Sequence, residues 1–268
     1  MPTLHENKST WDGAYVWEHR GDEWSAAWGG PSMQWYGAIL PRIQTFLPAP
    51  TILEIACGYG RWTQFLESRC ERLLVVDLSE ECVAACRQRF TERTHLEYFV
   101  NDGRSLDMIG DASVDFVFSF DSLVHADAGV LQAYVTHLGR VLRPEGAAFL
   151  HHSNLGEYPY YASVRRVPKL QAVLSRLGVL ERDLHWRDPG VTAEQVANLA
   201  TAAGLQCIVQ EKITWGTRRS LIDCMSTLVR RGSKRAGAAR VLHNPDFMRQ
   251  AAELARLAAL YEPRRAPR

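Results

Sequence analysis

Apolar residues in this chain gather in short runs separated by stretches of helical period. Thr51–Ile55 and Leu96–Val100 are two such runs, and residues 73–76, 114–120 and 147–151 are three more. Runs of this length, bounded by Gly, Pro, Asp, Asn and Ser, predict buried strands. Residues 33–47, 61–70 and 80–90 predict helices, the last capped by Ser79. The period is clearest over 128–142, where Val130, Leu131, Tyr134, Val135, Leu138, Val141 and Leu142 share one face. Regular alternation of strand and helix predicts a parallel sheet with right-handed crossovers and helices on both faces. Ligands in such sheets bind at the C-terminal strand ends, near the switch point in strand order.

The rhythm breaks after His152. Residues 153–191 carry aromatics, Pro159, Pro168 and an apolar helical run over 170–180. An insertion at the C-terminal end of a strand is well placed to act as a lid. Thr192-Ala-Glu-Gln195 is a capping box that opens another helix, ending near Gly204. Residues 207–215 and 221–229 read as two strands joined by a short connection, a hairpin. Phe247–Tyr261 is amphipathic and alanine-rich, suited to docking or self-association. At the other end, five of the eight tryptophans lie within the first 35 residues. Such large rings predict a segment packed over something, a cap for the core or for a ligand. The expected organisation is therefore a cap and helix over 1–48, a core over 49–232 with its lid near 153–191, and an extension over 233–268.

Apolar residues make up 46% and charged residues 23%, which excludes collagen, coiled coil and wholesale disorder. No stretch approaches about 18 consecutive apolar residues, and the first eight lack an apolar signal core, so a cytoplasmic location is expected. A formal charge of +1 argues against a general polyanion binder, although residues 230–268 hold ten Lys/Arg against three Asp/Glu. The six cysteines show no Cys-x-x-Cys pair and no zinc-type spacing, as suits reduced thiols.

The chemistry concentrates after the first strand. Glu54-Ile-Ala-Cys-Gly58-Tyr-Gly60 leads into a helix. Glycines there let backbone approach a ligand, and the helix start offers free N–H groups. Asp77 ends the second strand 17 residues after Gly60, where an acid accepts ribose hydroxyls. A dinucleotide site prefers a third glycine at position 63. This chain has Thr63, preceded by Arg61 and Trp62, which points to a nucleoside without a pyrophosphate and weakens a nicotinamide reading. Asp102-Gly103 ends the third strand, placed to reach an adenine amino group.

With these motifs, residues 50–230 resemble the class I S-adenosylmethionine-dependent methyltransferases. The matching stretches are 54–60, Asp77, Asp102-Gly103, Val114-Asp-Phe-Val-Phe-Ser-Phe120 and the Pro144-Glu-Gly146 turn. The resemblance implies a Rossmann-like, seven-stranded, mostly parallel sheet with an antiparallel last strand, and S-adenosylmethionine as cofactor. It implies that the cofactor is held by Glu54, Ala56, Cys57, Gly58, Gly60, Arg61, Trp62, Asp77, Leu78, Asp102, Gly103 and Phe120, with the glycine loop at its methionine part, Asp77 at the ribose and Asp102 at the adenine. Ala56 departs from a position that is commonly glycine.

The fourth strand ends in Phe120-Asp-Ser-Leu-Val-His-Ala-Asp127, the place the resemblance assigns to the transferred methyl. The Asn/Asp-Pro-Pro-Tyr/Phe sequence of base-methylating enzymes is absent, so nucleic acid is not the expected acceptor. A hydroxyl acceptor must lose a proton, and a histidine of near-neutral pKa suits that task. His125 is the first candidate base and His152 the second, with Asp121 as base or orienting acid. Strand alternation allows only one of His151 and His152 to face the pocket. Asp121, Asp127 and His151 offer oxygen and nitrogen, but no paired-carboxylate spacing supports a metal. Tyr15, Trp17, Trp24, Trp28, His151 and Tyr160 are expected around the acceptor. The expected function is O-methylation of a small polar acceptor, a sugar or glycosylated metabolite. An N-methyltransferase of a small amine and a non-catalytic nucleotide-binding module are the alternatives.

Overall fold

The computed structural model describes residues 3–161, 172–174, 176–177, 186–216 and 220–261. Eight strands form one sheet: β1 (Thr51–Ile55), β2 (Arg72–Asp77), β3 (Leu96–Val100), β4 (Val114–Ser119), β5 (Leu142–Ser153), β6 (Leu205–Ile213), β7 (Asp223–Arg230) and β8 (Arg240–Asn244). Their order is β3-β2-β1-β4-β5-β7-β6-β8. Only β7 runs antiparallel, to β5 on one side and β6 on the other. The chain builds outward from β1 to β2 and β3, then returns to lay β4 on the other side of β1. That reversal opens a crevice at the C-terminal ends of β1 and β4.

The sheet has eight strands where seven were expected. The additional strand, β8, pairs parallel with β6, and its first four residues are exposed. A strand covered on neither face has no reason to alternate, so hydropathy gave it no signal.

The sheet separates two apolar layers by strand alternation. Leu53, Ile55, Leu74, Val76, Val117 and Leu150 face the helices Ala128–Val141 and Ala193–Ala202. Ile52, Val75, Phe116, Phe118 and Phe149 face Trp28, Trp35, Ile39, Trp62 and Phe247. The helix expected over 33–47 is broken into Pro31–Gln34, a π-helical turn at Trp35–Ile39, Leu40–Ile43 and a 3₁₀ turn at Gln44–Phe46. Pro41 removes a backbone donor. Gly37 is where Leu254 of the C-terminal helix Phe247–Tyr261 seats itself, within 2.6 Å of a hypothetical Cβ. The helix expected over 61–70 shrinks to Thr63–Leu66 followed by a 3₁₀ turn. Most of the helical run expected over 170–180 lies outside the described residues.

The N-terminal segment begins with helix Leu4–Ser9, opened by a Thr3–Glu6 capping box. It lies over the C-terminal strand ends. Asn7 Nδ2 donates to the His125 carbonyl at 3.3 Å, and Ser79 Oγ donates to Asp12 Oδ1 at 2.5 Å. Trp17 stacks on Tyr59 with ring centres 4.4 Å apart. Among the described residues no helix is long and apolar enough to cross a membrane.

Candidate active site

A cavity lies at the switch point. It measures about 890 Å³ with its open mouth included, within the usual small-ligand range of about 300–1,000 Å³. Its floor is the turn after β1, and both glycines of that turn take left-handed angles, φ 54° at Gly58 and 84° at Gly60. Ala56 also lies there, at φ 61°. The turn therefore keeps a glycine-like path without the glycine, at an energetic cost that alanine bears and glycine would not.

Asp77, at the end of β2, is buried. Gly58 N donates to its Oδ2 at 2.9 Å and Ser79 N to its Oδ1 at 3.0 Å. These bonds lock the carboxylate against the glycine turn. Burial outweighs them and raises its pKa. Glu54 sits behind the turn rather than in the cavity. Its Oε2 accepts from Thr63 Oγ1 at 2.6 Å, and burial pushes its pKa up to about 8.

The wall beyond β4 carries charge. Asp121 adopts φ 62°. Its backbone N–H donates to His151 Nδ1 at 3.1 Å, and its carboxylate receives Arg61 Nη2 at 2.8 Å. Arg61 is buried, leans over Trp62 and Trp24, and keeps Nη1 without a partner. His125 also presents an unpartnered buried nitrogen, Nδ1. Burial, then the Arg187 charge, hold its pKa down to about 4. The imidazole is thus neutral at pH 7, well below the near-neutral basicity expected from sequence.

Ala56, Cys57, Gly58, Arg61, Trp62, Asp77, Leu78, Gly103, Asp121, His125, Trp17 and Trp24 all line this cavity. Several expected residues do not. The Gly60 position faces Phe90 and Cys86, 2.6 and 3.2 Å from a hypothetical Cβ. The Asp102 carboxylate closes its own turn, accepting from Arg104 N at 2.9 Å and Ser105 N at 2.7 Å. Phe120 is buried, and its carbonyl accepts from Trp62 Nε1 at 3.2 Å. Tyr15 stands behind Trp24, donating to Glu23 at 3.0 Å. Trp28 packs into the core against Trp215 and Phe247. Tyr160 bonds to Ser220 Oγ at 3.0 Å.

The two histidines of β5 point to opposite faces, neither into the cavity. His151 lies between Phe120 and Trp215, with Nε2 3.3 Å from Asp223 Oδ2. His152 is on the other face against Ser226 Oγ at 2.8 Å, and its pKa is held near 4 by burial. The geometry therefore removes His152 from the candidate bases. Leu4, Asn7, Trp11, Ser122 and Tyr134 also line the cavity. Their placement depends on tertiary contacts, and only the tryptophan cluster signalled it. Among the described residues no three His, Cys, Asp or Glu side chains converge as metal ligands would.

Residues 52–146, from β1 into β5, match the family model described as a methyltransferase domain. Over that stretch the chain is similar to methyltransferase domains, which supports the class I S-adenosylmethionine-dependent resemblance. Nodulation protein S of Sinorhizobium fredii is 29% identical over 100 residues, 37% of this chain and 45% of that protein. The chain thus spans less than half the length of this curated relative. Among solved structures, the PH0226 protein of Pyrococcus horikoshii superposes with a TM-score of 0.53 at 20% identity, over 83% of this chain and 95% of that one. The N-methyltransferase NodS of Bradyrhizobium japonicum gives a TM-score of 0.51 at 17% identity, over 75% and 97%. Both superpositions show a shared fold. S-adenosylmethionine is the cofactor of this domain class, and the cavity fits it. At Gly58 and Gly103 the cap side chains Trp17 and Leu4 come within 3.1 and 2.8 Å of a hypothetical Cβ, Asp77 stands at the floor, and Arg61 Nη1 has no partner.

Proposed function

We propose that this protein methylates a hydroxyl of a small polar acceptor, a sugar or glycosylated metabolite. S-adenosylmethionine, when bound, supplies the electrophilic methyl group. The ribose end belongs at Asp77, and Arg61 faces the amino-acid end. The cap formed by Leu4, Asn7, Trp11 and Trp17 excludes water from the crevice, so that acceptor and methyl are held in line.

The observation that carries the hydroxyl reading is His125 in the cavity wall, whose buried Nδ1 has no hydrogen-bond partner. An imidazole with a pKa near 4 is a weak base in the ground state. An attacking hydroxyl, however, becomes a protonated ether as its bond to carbon forms, and that species is a far stronger acid than an imidazolium. His125 can take the proton as it is released. An amine acceptor arrives as an ammonium and must be deprotonated before attack, which so weak a base does poorly. The other carboxylate in the wall, Asp121, is already paired with Arg61 at 2.8 Å.

The amine reading is kept as the second one because named relatives include nodulation protein S and an N-methyltransferase. Incubation with isotope-labelled methyl donor and paired acceptors, methyl glycopyranosides and the matching amino sugars, separates the two. Label in a methyl ether supports the hydroxyl reading. Label found only in a methylamine overturns it.

A further inference from the structure

Trp186, like Ala56 and Asp121, is a conformational outlier, and it stands at the edge of the site. Its φ is 59°, in the left-handed region that a bulky aromatic enters only under constraint. The constraint lies just after it. Arg187 is buried and grips Asp223 through hydrogen bonds of 2.9 and 2.7 Å. Asp188 is buried as well, and its carbonyl accepts from Ser153 Oγ at 2.8 Å. Residues 187–188 are thus fastened to the ends of β5 and β7, and the chain turns left-handed at the residue before them. That turn leaves the indole 51% exposed.

The exposed ring stands beside the cavity. Its centre is 6.3 Å from the Trp11 ring and 6.3 Å from the His125 ring. The planes meet at 60° and 67°, so both neighbours approach at an angle rather than flat. Among the described residues no ring stacks on the indole face. Three separate segments therefore converge here: the N-terminal cap, the loop after β4 and the end of the insertion.

Folding gains nothing from a strained backbone that holds a large apolar ring in water, and strain of this kind collects where a ligand is gripped. We propose that Trp186 is the stacking platform for the acceptor and determines acceptor specificity. The matching ligand is a pyranose ring, with its C–H face on the indole and one edge hydroxyl turned to His125. A pyranose offers both surfaces the rim asks for, an apolar face and a polar edge. This assignment rests on the hydroxyl-transfer reading above. Trp186 makes and breaks no bond in it.

The test uses the full chain saturated with S-adenosylhomocysteine. Saturation-transfer NMR is run with methyl α-glucopyranoside, methyl α-mannopyranoside and methyl α-rhamnopyranoside, with catechol as a flat aromatic control. The wild type should show contacts from the C–H protons of one pyranoside face. Trp186→Gly should reduce them at least tenfold while its unfolding temperature holds or rises, because glycine tolerates φ 59°. Trp186→Phe should recover part of the signal. Equal pyranoside contacts in wild type and Trp186→Gly overturn the proposal, as does a Trp186→Gly protein of lower unfolding temperature. A wild type that binds catechol in place of every pyranoside overturns it too. Calorimetry with S-adenosylhomocysteine on the same samples separates the two levels of failure. A wild type that binds the nucleoside but no pyranoside overturns only this assignment, whereas one that binds neither overturns the methyl-transfer reading itself.

Discussion

His125 is a neutral imidazole at pH 7 because burial and the Arg187 charge hold its pKa down to about 4. Its place, five residues past Phe120 on the loop after β4, follows from the sequence. Its lowered basicity does not, because that comes from burial and from Arg187, 62 positions away. The sign of the resulting pH dependence is fixed. The imidazole acts only when unprotonated, so a pKa lowered to about 4 puts the rising limb of the rate near pH 4 and leaves a plateau through neutrality. His125→Gln should lower the turnover rate by about 10²- to 10⁴-fold without moving cofactor affinity. A mutant with near-normal turnover, or a wild-type limb near pH 6.5, would place the base elsewhere. His152 fails as a base for a simpler reason. Alternation allowed one of two adjacent histidines to face the pocket, and the structure turns both away from it.

Among the elements, the sheet was readable wherever burial imposes a pattern. β1, β2, β4 and the second half of β5 are short buried runs bounded by turn residues, and the helix Ala128–Val141 repeats its apolar face for four turns. β8 was invisible because it is covered on neither face. The N-terminal segment divides in two. Residues 3–19 lie over the crevice, but Trp28 is 1% exposed and packs on Trp215 and Phe247 in the core. Its tryptophans look alike in sequence and serve different layers. Removing residues 1–19 should therefore leave a folded protein that has lost most of its turnover. Full activity in that truncation would make the segment mere surface. Trp28→Ala should cost about 3–5 kcal/mol of stability, measurable by urea unfolding. A loss under 1 kcal/mol would contradict its place in the core.

Across the whole molecule, buried titratable groups set opposing pH slopes. His125 and His152 have folded pKa values near 4, against about 6.5 when unfolded. Between those values the unfolded chain binds more protons, so stability falls as pH drops from about 6.5 to 4. Glu54 acts the other way. Its folded pKa near 8 lies above the ordinary carboxylate value. Its stabilising proton is therefore lost as pH rises toward 8, and Asp77, also raised by burial, adds to that slope. Above about pH 6.5 histidine is neutral in both states, and Glu54 acts without the histidines. The unfolding free energy should fall from about pH 6.5 to 8. A stability that climbs steadily from pH 6.5 to 8 would contradict these assignments.

The claim on which the rest depends is that the crevice at the β1 and β2 ends binds the nucleoside of S-adenosylmethionine through Asp77. That carboxylate is held in place by Gly58 N and Ser79 N, so its removal leaves the ribose hydroxyls without a charged acceptor. Calorimetric titration of S-adenosylhomocysteine into wild type and Asp77→Ala tests this directly. The account predicts saturable binding by the wild type and a loss of about 1.5–3 kcal/mol in the variant, roughly ten- to a hundredfold in affinity. Unchanged affinity in a folded Asp77→Ala protein would contradict it.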